Sequence, residues 1–214
     1  MNHRVSRNGK LPGRASGGPC LLDDSKTGGK PREDVMRFAK QMAFYSAYHQ
    51  EKRNILIHVV GVPTITFSVL LVLSWIKLFS FQGMPVTVAM VFTAAVLLYY
   101  FTLDFVFALT STILFGSLLA AAHYLSLHVD PTTGWIIFGT AQVLGWGTQF
   151  YGHFVFEKDR PALFDNLFQA LISAPIFVVA DVFFELGLRT HLEEQVKEIL
   201  AEQGKLKTFE AVAS

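Results

Sequence analysis

The sequence predicts an all-α fold: a polytopic membrane helix bundle of four transmembrane helices plus a broken or re-entrant helix. Three observations predict it. The 214 residues are 51% hydrophobic and only 16% charged, with a mean hydropathy of +0.38. That is too apolar and too poor in charge for a soluble domain of this size. Four apolar runs are long enough to cross a bilayer core, which takes roughly 20 helical residues. Turn-prone Gly, Pro and Asp residues separate them.

A formal net charge of +1 leaves no electrostatic footprint for nucleic acid. The lone cysteine, Cys20, excludes an intrachain disulfide and CxxC zinc or redox chemistry. Residues 1–34 are rich in Gly, Ser, Pro, Lys and Arg and read as a disordered polar tail. No apolar signal core follows Arg4 and Arg7.

Residues 35–190 form the membrane domain. The first run, Val59 to Phe79, is entered through YSAYHQEKRNILIHVVGVP, Tyr45 to Pro63. Gly83 then makes a turn, and Pro85 opens the second run, Pro85 to Leu103, where proline suits a helix start. A tight hairpin around Asp104 leads to Phe105 to Leu127. Asp130, Pro131 and Gly134 turn the chain into Gly134 to Phe156. Helices are expected throughout, because open strands leave backbone groups unpaired in lipid. The fifth run, Leu167 to Leu188, contains Gln169, Pro175, Asp181 and Glu185. It reads as broken, re-entrant or interfacial, with a fifth full span as the alternative.

Charge favours four spans. Lys52 and Arg53 precede the first, and Lys158 and Arg160 follow the fourth. Arg189, Lys197, Lys205 and Lys207 lie beyond. Four spans put all three groups on the cytoplasmic side, as the positive-inside rule asks; five do not. Arg189 to Lys207 reads as a short polar helix, and residues 191–214 as a polar C-terminal tail.

This topology brings His58 and His153 to one membrane depth and sends His123 and His128 to the other leaflet, where they read as structural. Gln149, His153 and Glu157 fall at i, i+4 and i+8, one helical stripe; Asn54 and His58 share a face. His49 lies nine residues before His58, about half a turn out of phase on an ideal helix. Both meet one site only if the helix breaks near Gln50 to Arg53. Asp181, an ionisable group in an apolar run, requires a partner. Imidazoles with carboxylates suit Fe(II), Zn(II) or Mn(II), and two histidines plus a carboxylate leave open positions for substrate and oxygen. Taken singly, each histidine is a helix-joining group. Glu157 beside Lys158, Asp159 and Arg160 reads as a helix-end charge network. Trp75, Trp135 and Trp146 read as interfacial or packing residues. Taken together, the polar groups favour a metal site.

The stretches FYSAYHQEKRNILIHVVGVPTI and QFYGHFVFEKDRPALFDNLFQALISAPIFVVADVFFELG resemble the DUF962, or Mpo1-like, family over residues about 38 to 190. Tyr48, His49, Asn54, His58 and Pro63 match a first motif. Gln149, Gly152, His153, Phe156, Glu157, Pro161, Ala162 and Leu163 match a second, and Asn166, Pro175 and Asp181 a third. The family commonly has proline where this chain has Lys52, and glutamate where it has Asp181. The resemblance implies an Fe(II)-dependent dioxygenase of the endoplasmic reticulum membrane, with its site toward the cytosol. Its substrates are a 2-hydroxy fatty acid and O2, and its product is a fatty acid one carbon shorter, serving α-oxidation in phytosphingosine breakdown. It also implies His49, His58 and His153 as iron ligands, Asp181 as an additional ligand, and Asn54, Gln149 and Glu157 around them. Lys52, Arg53 or Lys158 would balance the substrate's charge. Two other classes stay open: a non-catalytic lipid-binding or scaffold bundle, and a small transporter. Against the transporter, the polar groups gather near one leaflet and no inverted repeat is evident.

Overall fold

The computed structural model describes residues 33–161, 163 and 165–209. The expected disordered tail lies almost wholly outside them, as do Ala162 and residues 210–214. The described chain opens with α1 (Glu33–Ser46). Phe38, Ala39, Met42, Ala43 and Tyr45 are buried along it at helical spacing. They pack against α7 (Thr190–Glu202), near the other end, which buries Leu192, Val196 and Leu200 at every fourth residue. The expected polar helix is therefore amphipathic, and one face of it belongs to the core.

The chain breaks between Ser46 and Lys52, as the phase of His49 and His58 demands. Glu51 makes the break. Its backbone is extended, and its carboxylate accepts from the Arg53 and Asn54 amides to cap α2 (Lys52–Leu73). α2 is the centre of the bundle and touches α4, α5 and α6.

A hairpin that the sequence pattern does not announce follows α2. β1 (Lys77–Phe81) pairs antiparallel with β2 (Met84–Thr87). Gln82 (φ 49) and Gly83 (φ 82) are both left-handed, as a two-residue turn between twisted strands requires. The first helix thus ends at Leu73, short of Phe79. Pro85 lies in a strand, opposite Ser80, where a two-stranded edge tolerates its missing N–H. Thr87 caps α3 (Val88–Phe101) instead.

Asp104 and Asp130 start the next two helices, their carboxylates accepting from first-turn amides. They cap α4 (Phe105–His128) and α5 (Pro131–Tyr151). Pro131 fills the first helical position, where its absent N–H costs nothing. α5 runs into a π-helical turn, Gly152–Glu157, closed by Lys158 at φ 54. A second π turn, Gln169–Ser173, precedes α6 (Ala174–Glu185), which is buried continuously from Ala174 to Asp181.

Two of the described helices, or three if a bent pair counts as one, have the length and hydropathy of a full span. α2 and α4 are long and apolar enough to cross a bilayer core. α3 has 14 residues, about 21 Å of helix against a core of about 30 Å. α5 is long enough, but Gly, Thr and Gln dilute its hydropathy. α6 and α7 make a third span only if counted as one, and they bend by 113° at the break. Gly187 (φ 70) and Arg189 (φ 56) form that bend. Arg189 then pairs with Asp104 at 2.9 Å, both nearly buried.

Candidate metal centre

Three segments converge on one point. His49 comes from the α1–α2 joint, His58 from the second turn of α2 and His153 from the first π turn. All three are buried. One ring nitrogen from each lies within 4.8 Å of the others. The ring centroids stand 4.4, 4.7 and 5.0 Å apart, each pair close to edge-on.

The hydrogen bonds orient two of these rings. His49 Nδ1 lies 2.9 Å from the Tyr45 carbonyl, and His58 Nδ1 lies 2.9 Å from the Asn54 carbonyl. A carbonyl oxygen only accepts, so in both rings Nδ1 carries the proton and Nε2 keeps its lone pair. That is how metal-ligating histidines are commonly set. His153 Nδ1 is buried with no hydrogen-bond partner among the described residues. Tyr45 lies flat on His49, with centroids 4.0 Å apart and planes 10° off parallel. Burial holds the His49 imidazole well below the usual histidine range, and the neighbouring His58 and His153 act in the same direction. A neutral, converging set with an orphaned nitrogen fits a divalent metal with nitrogen ligands.

Glu157 supports this set without joining it. Its side chain is fully buried. It accepts from the Gln50 amide at 3.2 Å, the Glu51 amide at 3.0 Å, Asn54 Nδ2 at 3.2 Å and Lys207 Nζ at 3.1 Å. One carboxylate thus ties the segment after His49, the first turn of α2 and the C-terminal stretch together. The π turn carries it there: Gln149 and His153 both face a shared cavity, while Glu157 faces the α1–α2 joint. Asn54 is fully buried.

Asp181, grouped with the histidines from sequence, stands outside the cluster. Among the described residues the possible ligand group comprises His49, His58 and His153. The Asp181 carboxylate is buried in α6 with Oδ2 unpaired and faces a different cavity. The cations are also placed otherwise. Lys52 pairs with Glu185, and Arg53 pairs with Glu51 and lies over Phe156 at 4.4 Å. Lys158 is exposed. Lys207, held by Glu157 and Asp159, is the ammonium that acts on His49.

His49 is a wall between two cavities. On one side, about 90 Å³ lies between α2, α5 and the second π turn, lined by Val62, Ile65, Phe150, Leu171 and Pro175 with the three histidines. On the other, about 380 Å³ is lined by Ser46, Gln50, Asp181, Glu193 and Lys207. Two glycines let α2 approach α5 and its π turn this closely. A Cβ at Gly61 would lie 2.1 Å from Gln149 Nε2, and one at Gly152 would lie 2.4 Å from Asn54 Oδ1.

A family model, 2-hydroxy-palmitic acid dioxygenase Mpo1-like, matches residues 35–186. The chain belongs to this Mpo1-like family. It is 32% identical over 168 residues to the 2-hydroxy-palmitic acid dioxygenase MPO1 of Saccharomyces cerevisiae, covering 78% of this chain and 92% of the relative. No solved structure matches. Sequence reasoning missed Tyr45, Lys207 and Gly61, and carried Gly152 only as a motif match without its contact to Asn54. Tyr45 had a usable signal, since it lies four residues before His49. Lys207 had none, because nothing local ties it to residue 157.

Proposed function

We propose that this chain is an Fe(II)-dependent dioxygenase that removes one carbon from 2-hydroxy fatty acids, with the metal held by His49, His58 and His153. The proposal includes α-oxidation in phytosphingosine breakdown, a place in the endoplasmic reticulum membrane and a site toward the cytosol. Iron, when bound, supplies the activation of O2 and a seat for the hydroxyl and carboxylate oxygens. The reaction balances without a further reductant: R–CHOH–COOH and O2 give R–COOH, CO2 and H2O. The bond between C1 and C2 breaks, and C2 becomes the new carboxyl carbon.

One observation carries the proposal. Three buried imidazoles converge at one end of an apolar cavity, and one of them, His49, also borders a second cavity that carries charged side chains. That junction suits an amphiphile whose reacting carbons sit between its head and its tail. The Tyr45 and Asn54 carbonyls hold the rings. Glu157 fixes the segment that carries His49. The Lys207 ammonium offsets the carboxylate charge, and Val62 and Leu171 keep water from the tail side.

The test is anaerobic purification in detergent, with bound iron and conversion of a 2-hydroxy fatty acid measured together. Wild type should hold about one iron per chain and yield the one-carbon-shorter acid; His153→Ala should lose both. A folded wild type without iron or turnover after Fe(II) is restored would leave a lipid-binding or scaffold bundle as the better reading.

A further inference from the structure

The cavity at the histidines does not end blindly. A second, larger cavity of about 360 Å³ lies beyond it. The two share five wall residues, Ile65, Thr66, Trp146, Leu171 and Pro175. The far chamber is lined by Val69, Phe92, Val96, Leu97, Tyr100 and Phe115. On α2 the wall runs His58, Val62, Ile65, Val69, each three or four residues on, one helical face. On α5 and the π turn that continues it, the wall runs His153, Phe150, Trp146, Gln142 in the same way.

Two polar side chains of this wall are spent on the protein. Gln142 Nε2 donates to Ser68 Oγ at 2.8 Å and to the Ile65 carbonyl at 3.2 Å, and its Oε1 accepts from Trp146 Nε1 at 2.9 Å. Tyr100 donates its hydroxyl to the Ile172 carbonyl at 2.5 Å, which leaves its ring to close the chamber. From His58 to Leu70 the α2 wall is about 18 Å long. That is the reach of an extended long acyl chain, and a short one would leave the far half empty.

We propose that this two-part apolar channel is the acyl-chain site and acts as its length gauge, with Trp146 and Thr66 at the waist and Val96, Tyr100 and Phe115 at the far end. The inference rests on the dioxygenase reading for the identity of the head group. Continuity with the histidines commits the channel to the substrate's tail rather than to a bilayer lipid.

The test separates binding from turnover. A protein carrying Trp75→Phe and Trp135→Phe keeps Trp146 as its one tryptophan of three. A fatty acid brominated at mid-chain should quench it saturably, and the unbrominated 2-hydroxy acid should relieve the quenching. In turnover, Val96→Phe should lower kcat/KM for long acids roughly tenfold or more relative to short acids. Val69→Phe narrows the same chamber from the opposite wall and serves if the first variant fails to fold. Quenching without turnover would uphold the channel and sink the dioxygenase reading. Turnover with no quenching, and an unchanged chain-length profile in the folded variants, would overturn the channel and leave the enzyme standing. Quenching by brominated phospholipid that free acid does not displace would also overturn it, in favour of a resident bilayer lipid.

Discussion

The molecule contains the same local device twice. Tyr45 stacks on His49 with centroids 4.0 Å apart, and Tyr124 stacks on His128 at 4.0 Å. In each pair the histidine Nδ1 meets the carbonyl of the tyrosine four residues earlier, at 2.9 and 2.7 Å. His49 is buried beside two more histidines, whereas His128 is exposed at the end of α4. The two ends differ in what reaches them from elsewhere in the chain. Around His49, α2, the π turn of α5 and the C-terminal stretch all arrive. A Tyr-x3-His step orients a ring; only long-range convergence makes it part of a site.

The largest test of this contrast removes each ring. His49→Ala should abolish stoichiometric iron and cut turnover by at least about a hundredfold, since it removes one of the three proposed ligands. His128→Ala should leave both within twofold of wild type. Equal losses in the two variants, measured by metal analysis and product formation, would mean that His49 acts only through general stability.

Two carboxylates extend the comparison. Asp130 caps its own helix through Thr133, in an exposed turn. Glu157 accepts from three other parts of the chain. Glu157→Gln keeps the shape but presents an N–H₂ where donors already point. It should weaken iron binding by roughly 10–100-fold. Asp130→Asn should change stability by less than about 0.5 kcal/mol, because asparagine caps about as well. Iron titration and thermal unfolding in detergent decide both, and a Glu157→Gln protein with wild-type affinity would remove Glu157 from the support of the histidines.

Smaller effects come from the helix contact that brings His58 to His153. Gly61→Ala and Gly152→Ala each place a methyl on a packed polar side chain and should destabilise by about 1–3 kcal/mol. At Gly139 and Gly147, on the same helix as the contact, an added methyl would meet nothing within 4 Å. Their alanine variants should be neutral or gain up to about 1 kcal/mol from helix propensity. Uniform behaviour of the four alanines in thermal unfolding would show that α2 and α5 do not need their close approach.

What was legible in the sequence followed the range of the interactions. The helix from 105 was visible in place, whereas the fourth run was read from Gly134, three residues late, because Asp130 and Pro131 suit a turn as well as a cap and first helical position. The motif histidines were visible through spacing and family likeness. The 77–87 hairpin was not, because an apolar run with Gly83 and Pro85 serves a strand pair as well as a helix start. Lys207 and the different position of Asp181 were hidden because they depend on contacts distant in the chain or on the direction of α6. The channel was hidden too, since its walls come from several separate segments.

The smallest predicted effect concerns the break that separates His49 from His58. Lys52, where the family resemblance leads one to expect proline, is the first residue of α2, and an amide there has no helical partner in any case. Here Glu51 caps the helix instead, with φ −82 and ψ 125. That extended conformation is the one a residue before proline prefers. Lys52→Pro therefore meets no backbone conflict, and the Lys52–Glu185 pair it removes is 80% and 47% exposed, which makes its loss worth little. The variant should unfold within about 1 kcal/mol of wild type, on the stabilising side if chain entropy prevails, and should keep its iron. A Lys52→Pro protein that lost iron while staying folded would show that the cap at Glu51 and a proline at this position do not set the same joint.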